Sequence, residues 1–314
     1  MNWKKLGLIF DLKKNKVDWL KSHAMMPLPL VLEDRIRLYF TGRHNDGKSR
    51  ISFIDIDKKD PYNILYIHNK PLLEVGEIGT FDDCGTVGTM VMKTENKIYL
   101  YYNGYNVRNT VPWSNSIGLA VSSDNGVTFK KMYEGPIMDR NTIDPYFTIS
   151  PSILVIDGIW HMWYTSGTGW LSIDDRNEPI YNIKYASSKD GINWDRDNSV
   201  SIEQDGIEEC VARATVIREE DQLLMWFIYR GSRDFRDGTD SYRIGYAESS
   251  INDPKKWLRM DNKAGIQPGP ETFDNKMQAY AAVIKIDNRR LMFYNGNGFG
   301  EQGICAAFED LSNV

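Results

Sequence analysis

Two adjacent pairs of acids, Asp82-Asp83 and Glu208-Glu209, each stand directly ahead of a mostly apolar stretch, CGTVGTMVM and CVARATVI. Glycoside hydrolysis needs two carboxyl groups facing one bond, one as acid and the other as base or nucleophile. Asp83 and Glu209 are the candidates for that pair, with Asp82 and Glu208 as their immediate rivals. Arg213 lies inside VARATVI, where an unpaired charge is costly to bury. It either clamps a substrate carboxylate or hydroxyls, or pairs with Asp83 or Glu209. Three further stretches carry polar groups at the same phase: His23 before MMPLPL, Asp144 to Ser150 in DPYFTIS, and Asp274, Gln278 and Tyr280 in FDNKMQAY. Acids at the start of a strand also serve simply to solvate a turn, and both readings stand at this point. His23 has no His, Cys or Asp ligand spacing around it and suits a hydrogen-bonding wall better than a metal. No motif calls for a metal or another cofactor.

These residues need a scaffold that brings separate stretches to one place, and the chain repeats itself in the required way. Five segments alternate aromatic and aliphatic residues and end in a small polar turn: RIRLYFTGR, KIYLYYNGY, WHMWYTSG, LLMWFIYRG and RLMFYNGNG. Their equivalent aromatics are Phe40, Tyr102, Tyr164, Phe227 and Tyr294, in steps of 62, 62, 63 and 67 residues. A second motif follows each one. It is complete in SIGLAVSSDNGVTFKKM, NIKYASSKDGINWDRD and RIGYAESSINDPKKWLRMD, and shortened in SRISFIDID and GICAAFED. Alternating strands around Asp-Asn-Gly, Asp-Gly and Asn-Asp-Pro turns read as hairpins. A repeat of about 60 residues with roughly four strands is one propeller blade. The expectation is an all-β, five-bladed β-propeller occupying 1–314 as a single domain, with the strand around Leu6–Phe10 closing the ring.

In such a ring the first strand of each blade lines the central channel, and the acids and Arg213 fall at the mouth. The residues leaving the aromatic strands, Arg43, Asn103, Arg230 and Asn297, either rim the same site or cap turns. Trp113 and Trp170 are loop aromatics able to roof it, or to pack between blades.

Composition limits the alternatives. The 314 residues carry a net charge of −5, with 9 Trp and 17 Tyr. No basic tract points to nucleic acid and no apolar run approaches membrane-span length. The three cysteines, Cys84, Cys210 and Cys305, are too widely spaced for a metal knuckle or a disulfide framework. A cytoplasmic protein with a carbohydrate partner is expected.

The chain resembles a family of uncharacterised glycosidase-like proteins that share the five-bladed propeller of arabinanases, β-xylosidases, invertases and levansucrases. SHAMMPLPLVL, GTFDDCGTVGTMV, VPWSNSIGLAVSSDNGVTF, IKYASSKDGINW, YRIGYAES, FDNKMQAYAAVI and MFYNGNGFG carry the resemblance, over nearly the whole chain. It implies a glycoside hydrolase-like activity on a bacterial glycan, in the setting of polysaccharide biosynthesis. The better-known hydrolases of this fold use an Asp from blade 1, an Asp from blade 2 and a Glu from a later blade. The blade-1 stretch SHAMMPLPL offers no carboxylate, and Lys276 stands where related sequences often have an acid. A non-catalytic glycan-binding propeller, and a phosphorylase or glycosyltransferase with an anion site built from Arg43, Arg213, Arg230 or Lys276, therefore remain as alternatives.

Overall fold

Near-continuous apolar runs such as LLMWFIY, buried on both sides, give each blade an apolar face for each neighbouring blade, and the described residues form twenty strands. A computed structural model describes residues 1–95, 97–236 and 238–312; the last two residues of the expected 1–314 domain lie outside them. Blade 1 comprises β2 (Leu20–Val31), β3 (Arg35–His44), β4 (Ser49–Asp57) and β5 (Ile64–Ile67), and blade 2 comprises β6 (Thr86–Lys93), β7 (Ile98–Val107), β8 (Trp113–Ser122) and β9 (Lys130–Lys131). Blade 3 comprises β10 (Thr148–Ile156), β11 (Ile159–Ile173), β12 (Arg176–Ser188) and β13 (Asp195–Ile202). Blade 4 comprises β14 (Cys210–Glu219), β15 (Gln222–Arg230), β16 (Arg243–Ser250) and β17 (Leu258–Arg259). Blade 5 takes β18 (Ala279–Ile286), β19 (Arg289–Asn295) and β20 (Gly303–Asp310) and is completed by the N-terminal strand β1 (Lys4–Asp11), antiparallel to β20. The ring is thereby closed by a strand from the opposite end of the chain. The innermost strands β2, β6, β10, β14 and β18 contact one another in that order and back to β2. The fold is the expected five-bladed propeller of four-stranded antiparallel blades.

Its core sits in the seams between blades. Leu28, Tyr39 and Phe53 of blade 1 pack on Val91, Leu100 and Ala120 of blade 2, and Phe40 and Ile54 meet Phe293 and Ile304 across the closing seam. Each fully buried side chain of this kind contributes roughly 2–3 kcal/mol over its exposed state.

Three consecutive positions on the second strand of each blade do three different jobs. In blades 1 to 3 the first hooks the next blade's outer turn: Tyr39 donates to the Gly126 carbonyl at 2.8 Å, Tyr101 to Gly191 at 2.9 Å, and the Trp163 indole to Pro254 at 2.9 Å. In blades 4 and 5 the position holds Trp226, whose indole N–H has no partner among the described residues, and Phe293. The hooked turns are the Ser/Asp/Gly turns of the second motif. In one of them Asp124 accepts from Val127, Thr128 and Ser122, and Gly126 takes φ +80°, where an added Cβ would meet the Tyr39 hydroxyl at 2.0 Å. The second position is the repeated aromatic. Where it is tyrosine, its hydroxyl reaches an aspartate 20 residues upstream: Tyr102 to Asp82, Tyr164 to Asp144, Tyr294 to Asp274. Where it is phenylalanine, at Phe40 and Phe227, the residues 20 upstream are Leu20 and Ile207. The third position clasps the next inner strand. Gly88 N–H donates to Thr41, Ser150 N–H to Asn103, Arg213 N–H to Thr165 and Met26 N–H to Asn295, at 2.8–3.0 Å. At the seam between blades 4 and 5 this position is Ile228, which has no side-chain acceptor to offer.

Candidate functional site

Each inner strand breaks register at the same point. The ladder slips after Met25, Gly88, Ile149, Ala212 and Ala279. At the bulge Met26, Ser150, Arg213 and Tyr280 take φ between 52° and 57°, a left-handed conformation that costs a non-glycine residue about 1–3 kcal/mol. A bulge re-aims side chains, and these four line a cavity of about 290 Å³ at the end of the channel where the inner strands begin.

Around them stand Asn103, within the second strand of blade 2, and Arg230, at the end of that of blade 4. The third strands supply Trp113, Asn115, Glu178 and Tyr181, and the loop between β15 and β16 supplies Phe235, Arg236 and Tyr242. Glu178 is the sole carboxylate among the described lining residues, and Arg236 grips it through both nitrogens at 2.7 and 3.1 Å. Arg230 is buried without a carboxylate. It donates to the hydroxyls of Tyr181 and Tyr242 and to the carbonyls of Gly231 and Pro179, and its guanidinium stacks 3.8 Å from the Phe235 ring centre. Trp113 packs edge-on against Trp170 and Phe147, with ring centres 5.1 and 4.9 Å apart, so the cavity wall is braced by a second layer of rings.

The structure gathers Asn103, Ser150, Arg213, Arg230 and Tyr280 of the residues expected from sequence. Arg43 is exposed, and its charge is felt at both His23 and Tyr280. Burial, reinforced by Arg43, holds the His23 ring below its ordinary value and so favours the neutral form, while its Nδ1 lies 2.8 Å from the Ser22 hydroxyl. Trp170 stands behind the wall rather than on it.

The acids expected to face each other do not share the cavity. Asp83 accepts from the Gly79 N–H at 2.9 Å and from Asn106 at 2.7 Å, and these bonds lower its pKa. Glu209 is held bidentate by Arg259 at 2.7 and 2.8 Å and caps the Asp205 N–H. Glu208 lies on the surface, paired with Arg233. Asp82 is buried behind its strand on Lys131, at 2.6 Å, and on Tyr102. Asp274 repeats that arrangement with Lys5, at 2.6 Å, Tyr294 and Gln278. Gln278 is thus occupied inside blade 5. Asn297 ties up the loop before β18 through Lys276, Met277, Thr272 and Asn275. The acids satisfy buried phenols, amines and turn amides, which is why they recur ahead of inner strands.

Sequence reasoning passed over Asn115, Glu178, Tyr181 and Tyr242. A signal was present for three of them: Asn115, Tyr181 and Tyr242 each lie two residues before the isoleucine repeated on the third strands, Ile117, Ile183 and Ile244.

Solved structures of similar fold include proteins described as glycoside hydrolases. The RGII complex of BT0996 superposes with a TM-score of 0.73 at 16% identity, covering 98% of this protein and 91% of that one. A structure described as a glycoside hydrolase gives 0.72 at 16% identity, covering 99% and 93%. A structure from the GH130 family of mannoside phosphorylases, which contains glycoside hydrolases that target β-1,2-mannosidic linkages in Candida mannan, gives 0.66 at 13% identity over 97% and 89%. At such identities the likeness is one of fold. No protein-family model matches the chain. Two Mycobacterium tuberculosis proteins, Uncharacterized protein MT1551 and Uncharacterized protein Rv1502, are each 35% identical over 310 residues, covering 98% of this chain and 99% of their own. With that identity along essentially their full lengths, the chain belongs to the same family as these two mycobacterial proteins.

Proposed function

We infer that the protein is a glycan-active propeller of the glycoside hydrolase type, with its sugar held in the cavity at the channel mouth. One observation carries this reading. Rings of Trp113, Tyr181, Phe235, Tyr242 and Tyr280 line the cavity together with the polar side chains of Asn103, Asn115, Ser150 and Glu178. A sugar has an apolar ring face that stacks on aromatics and an edge of hydroxyls that needs donors and acceptors. The volume is close to the lower bound of about 300 Å³ for small-molecule pockets, which suits one sugar unit rather than a buried chain. Glycan processing in the named structural neighbours agrees with this reading.

For the chemistry, Glu178 is the carboxylate within reach of the ligand, and Arg236 orients it as an acceptor for a sugar hydroxyl or a water. Asp83 and Glu209 are held by their own partners outside the cavity lining, so the reading rests on Glu178 as one of the two carboxyl groups that glycoside hydrolysis uses, with no second among the described lining residues. The three free cysteines fit a reducing compartment, and a cytoplasmic location is proposed with it.

The test is calorimetric titration with a panel of mono- and oligosaccharides, followed by a reducing-end assay on those that bind. Trp113→Ala is expected to weaken binding tenfold or more, and Glu178→Gln to abolish turnover, whereas Asp83→Asn and Glu209→Gln retain it. If no sugar of the panel binds, the reading is lost. Binding that is indifferent to Trp113→Ala would place the sugar elsewhere.

A further inference from the structure

Arg213 is the least compensated buried charge among the described residues. Its residue exposure is 3%, its Nε has no hydrogen-bond partner, and its one side-chain bond is a long 3.4 Å contact from Nη2 to the Pro27 carbonyl. No carboxylate of the described residues pairs with it. Burial pulls its pKa down to about 10, with Tyr280 opposing. A buried cation is normally paired or exchanged for an apolar side chain. Here the backbone is also held left-handed, at φ 53°, to aim this side chain into the channel.

The position within the channel is equally specific. Arg213 lines the mouth cavity and also the cavity at the far end, between Leu28, Val91, Val216 and Ile284, and no other described residue lines both. It therefore forms the floor of the mouth. Tyr280 stands above it, in the field of Arg213, Arg230 and Arg43. The Tyr280 hydroxyl makes no hydrogen bond to the described residues, and burial keeps it protonated, so it remains a donor. Of the three arginines lining the mouth, Arg236 is used by Glu178, which leaves two positive charges unmatched in a protein of net charge −5.

We propose that the floor of the mouth cavity is an oxyanion subsite, with Arg213 as its anchor and Arg230, Tyr280 and Arg43 around it, for a carboxylate or phosphoryl group. The planar guanidinium fork matches both groups. An anion arriving there finds its partners already desolvated, which strengthens the attraction. The anion is either part of the sugar, as in a uronate or a sugar phosphate, or a free inorganic oxyanion bound beside a neutral sugar. The proposal rests on the carbohydrate reading only for the sugar that accompanies the anion.

The experiment compares glucuronate, glucose and inorganic phosphate by calorimetry at two salt concentrations, on the wild type, Arg213→Met and Arg213→Lys. The expected result is at least a tenfold preference for glucuronate over glucose, competition between glucuronate and phosphate, and loss of the preference in Arg213→Met with partial recovery in Arg213→Lys. Unfolding curves of both variants show whether they are folded, and Arg213→Met is expected to melt above the wild type without ligand. Phosphate binding that needs Arg213, with no sugar bound, supports the subsite while removing the carbohydrate reading. Equal binding of glucose and glucuronate, or a preference that survives Arg213→Met, overturns the subsite and leaves the carbohydrate reading standing.

Discussion

Asp144, just ahead of β10, and Arg213, on β14 of the next blade, are both buried, at 0% and 3% exposure. Their surroundings are opposite. Asp144 accepts from Tyr164 at 2.9 Å, Ser166 at 2.7 Å, Lys184 at 3.0 Å and Arg196 at 2.8 Å. Asp82 and Asp274 are similarly supplied with a tyrosine and a lysine each. Arg213 has one long contact to a carbonyl. The fold therefore neutralises buried charge readily where the charge serves the blades, and withholds a partner where the channel opens. An unmet charge that a fold has the means to meet marks a place for a ligand.

The sharpest way to break the comparison is to remove a compensated carboxylate. Asp144→Ala strands Lys184 as a buried cation and Arg196 as a partly buried one, and losing one partner of such a network costs about 3–5 kcal/mol. Denaturant unfolding measures it. Asp144→Asn, which keeps hydrogen bonds to Ser166 and Tyr164, is expected to lose less. A loss below about 1 kcal/mol for the alanine variant would show that the aspartates are not what locks the blades.

Arg213→Met is the converse and the next in size. Replacing a buried, poorly paired charge by an apolar side chain of similar length is expected to stabilise the free protein by about 1–3 kcal/mol, read from the same unfolding curves. Opposite signs at Asp144 and Arg213 are what the comparison requires. Destabilisation in both variants would mean that Arg213 is a structural member of the ring.

The inter-blade clasps give an effect of similar size and opposite sign. Asn103→Ala leaves the Ser150 N–H without its acceptor, and an unsatisfied buried donor costs about 1–3 kcal/mol. Because the same change frees a left-handed residue at the cavity wall, sugar affinity is expected to fall alongside stability. Thr165→Val, behind Arg213, is expected to behave similarly. If stability falls in both while affinity is untouched, the bulges are set by the strand itself.

Much of this architecture was legible because it repeats. Five aromatic strands in phase identify the blades, the second strand and the inner strand from the residues alone. Asn103, Ser150, Arg213, Arg230 and Tyr280 could be placed at the mouth because their phase follows from blade order alone. The acids ahead of the inner strands fall away from the cavity lining for a physical reason. A carboxylate before an inner strand has the same one-dimensional signature whether it meets a substrate or a phenol from the next strand, and only the partner distinguishes them. That partner was itself in the sequence as a correlation: Asp82, Asp144 and Asp274 stand 20 residues before tyrosines, and Leu20 and Ile207 before phenylalanines. Glu178 could not be found this way. It lies on the extended hairpin of β11 and β12, which has no counterpart of that length in the other blades, so no repeat predicts where its side chain falls.

The smallest expected effect is in the pH dependence of stability, and it separates the same two regions. Burial holds His23, His68 and His161 below the ordinary histidine value. The unfolded chain therefore binds protons more readily there, and stability declines gently as pH falls through about 6.5 and below. For Asp144 burial acts to raise the pKa, but Ser166, Lys184 and Tyr164 outweigh it and the net direction is down. Its contribution is complete above the unfolded value near 3.8 and is lost as pH drops through the lower folded value. The curve should thus have a shallow limb from about pH 6.5 and a steep one below about pH 4. Melting temperatures from pH 8 to pH 3 trace both limbs. Asp144→Asn should flatten the steep limb and His161→Gln part of the shallow one, whereas Arg213→Met should leave both unchanged, since its guanidinium stays charged throughout this range. A change in the acid limb on replacing Arg213 would reveal a carboxylate coupled to it, and the separation between the compensated blades and the uncompensated channel would fail.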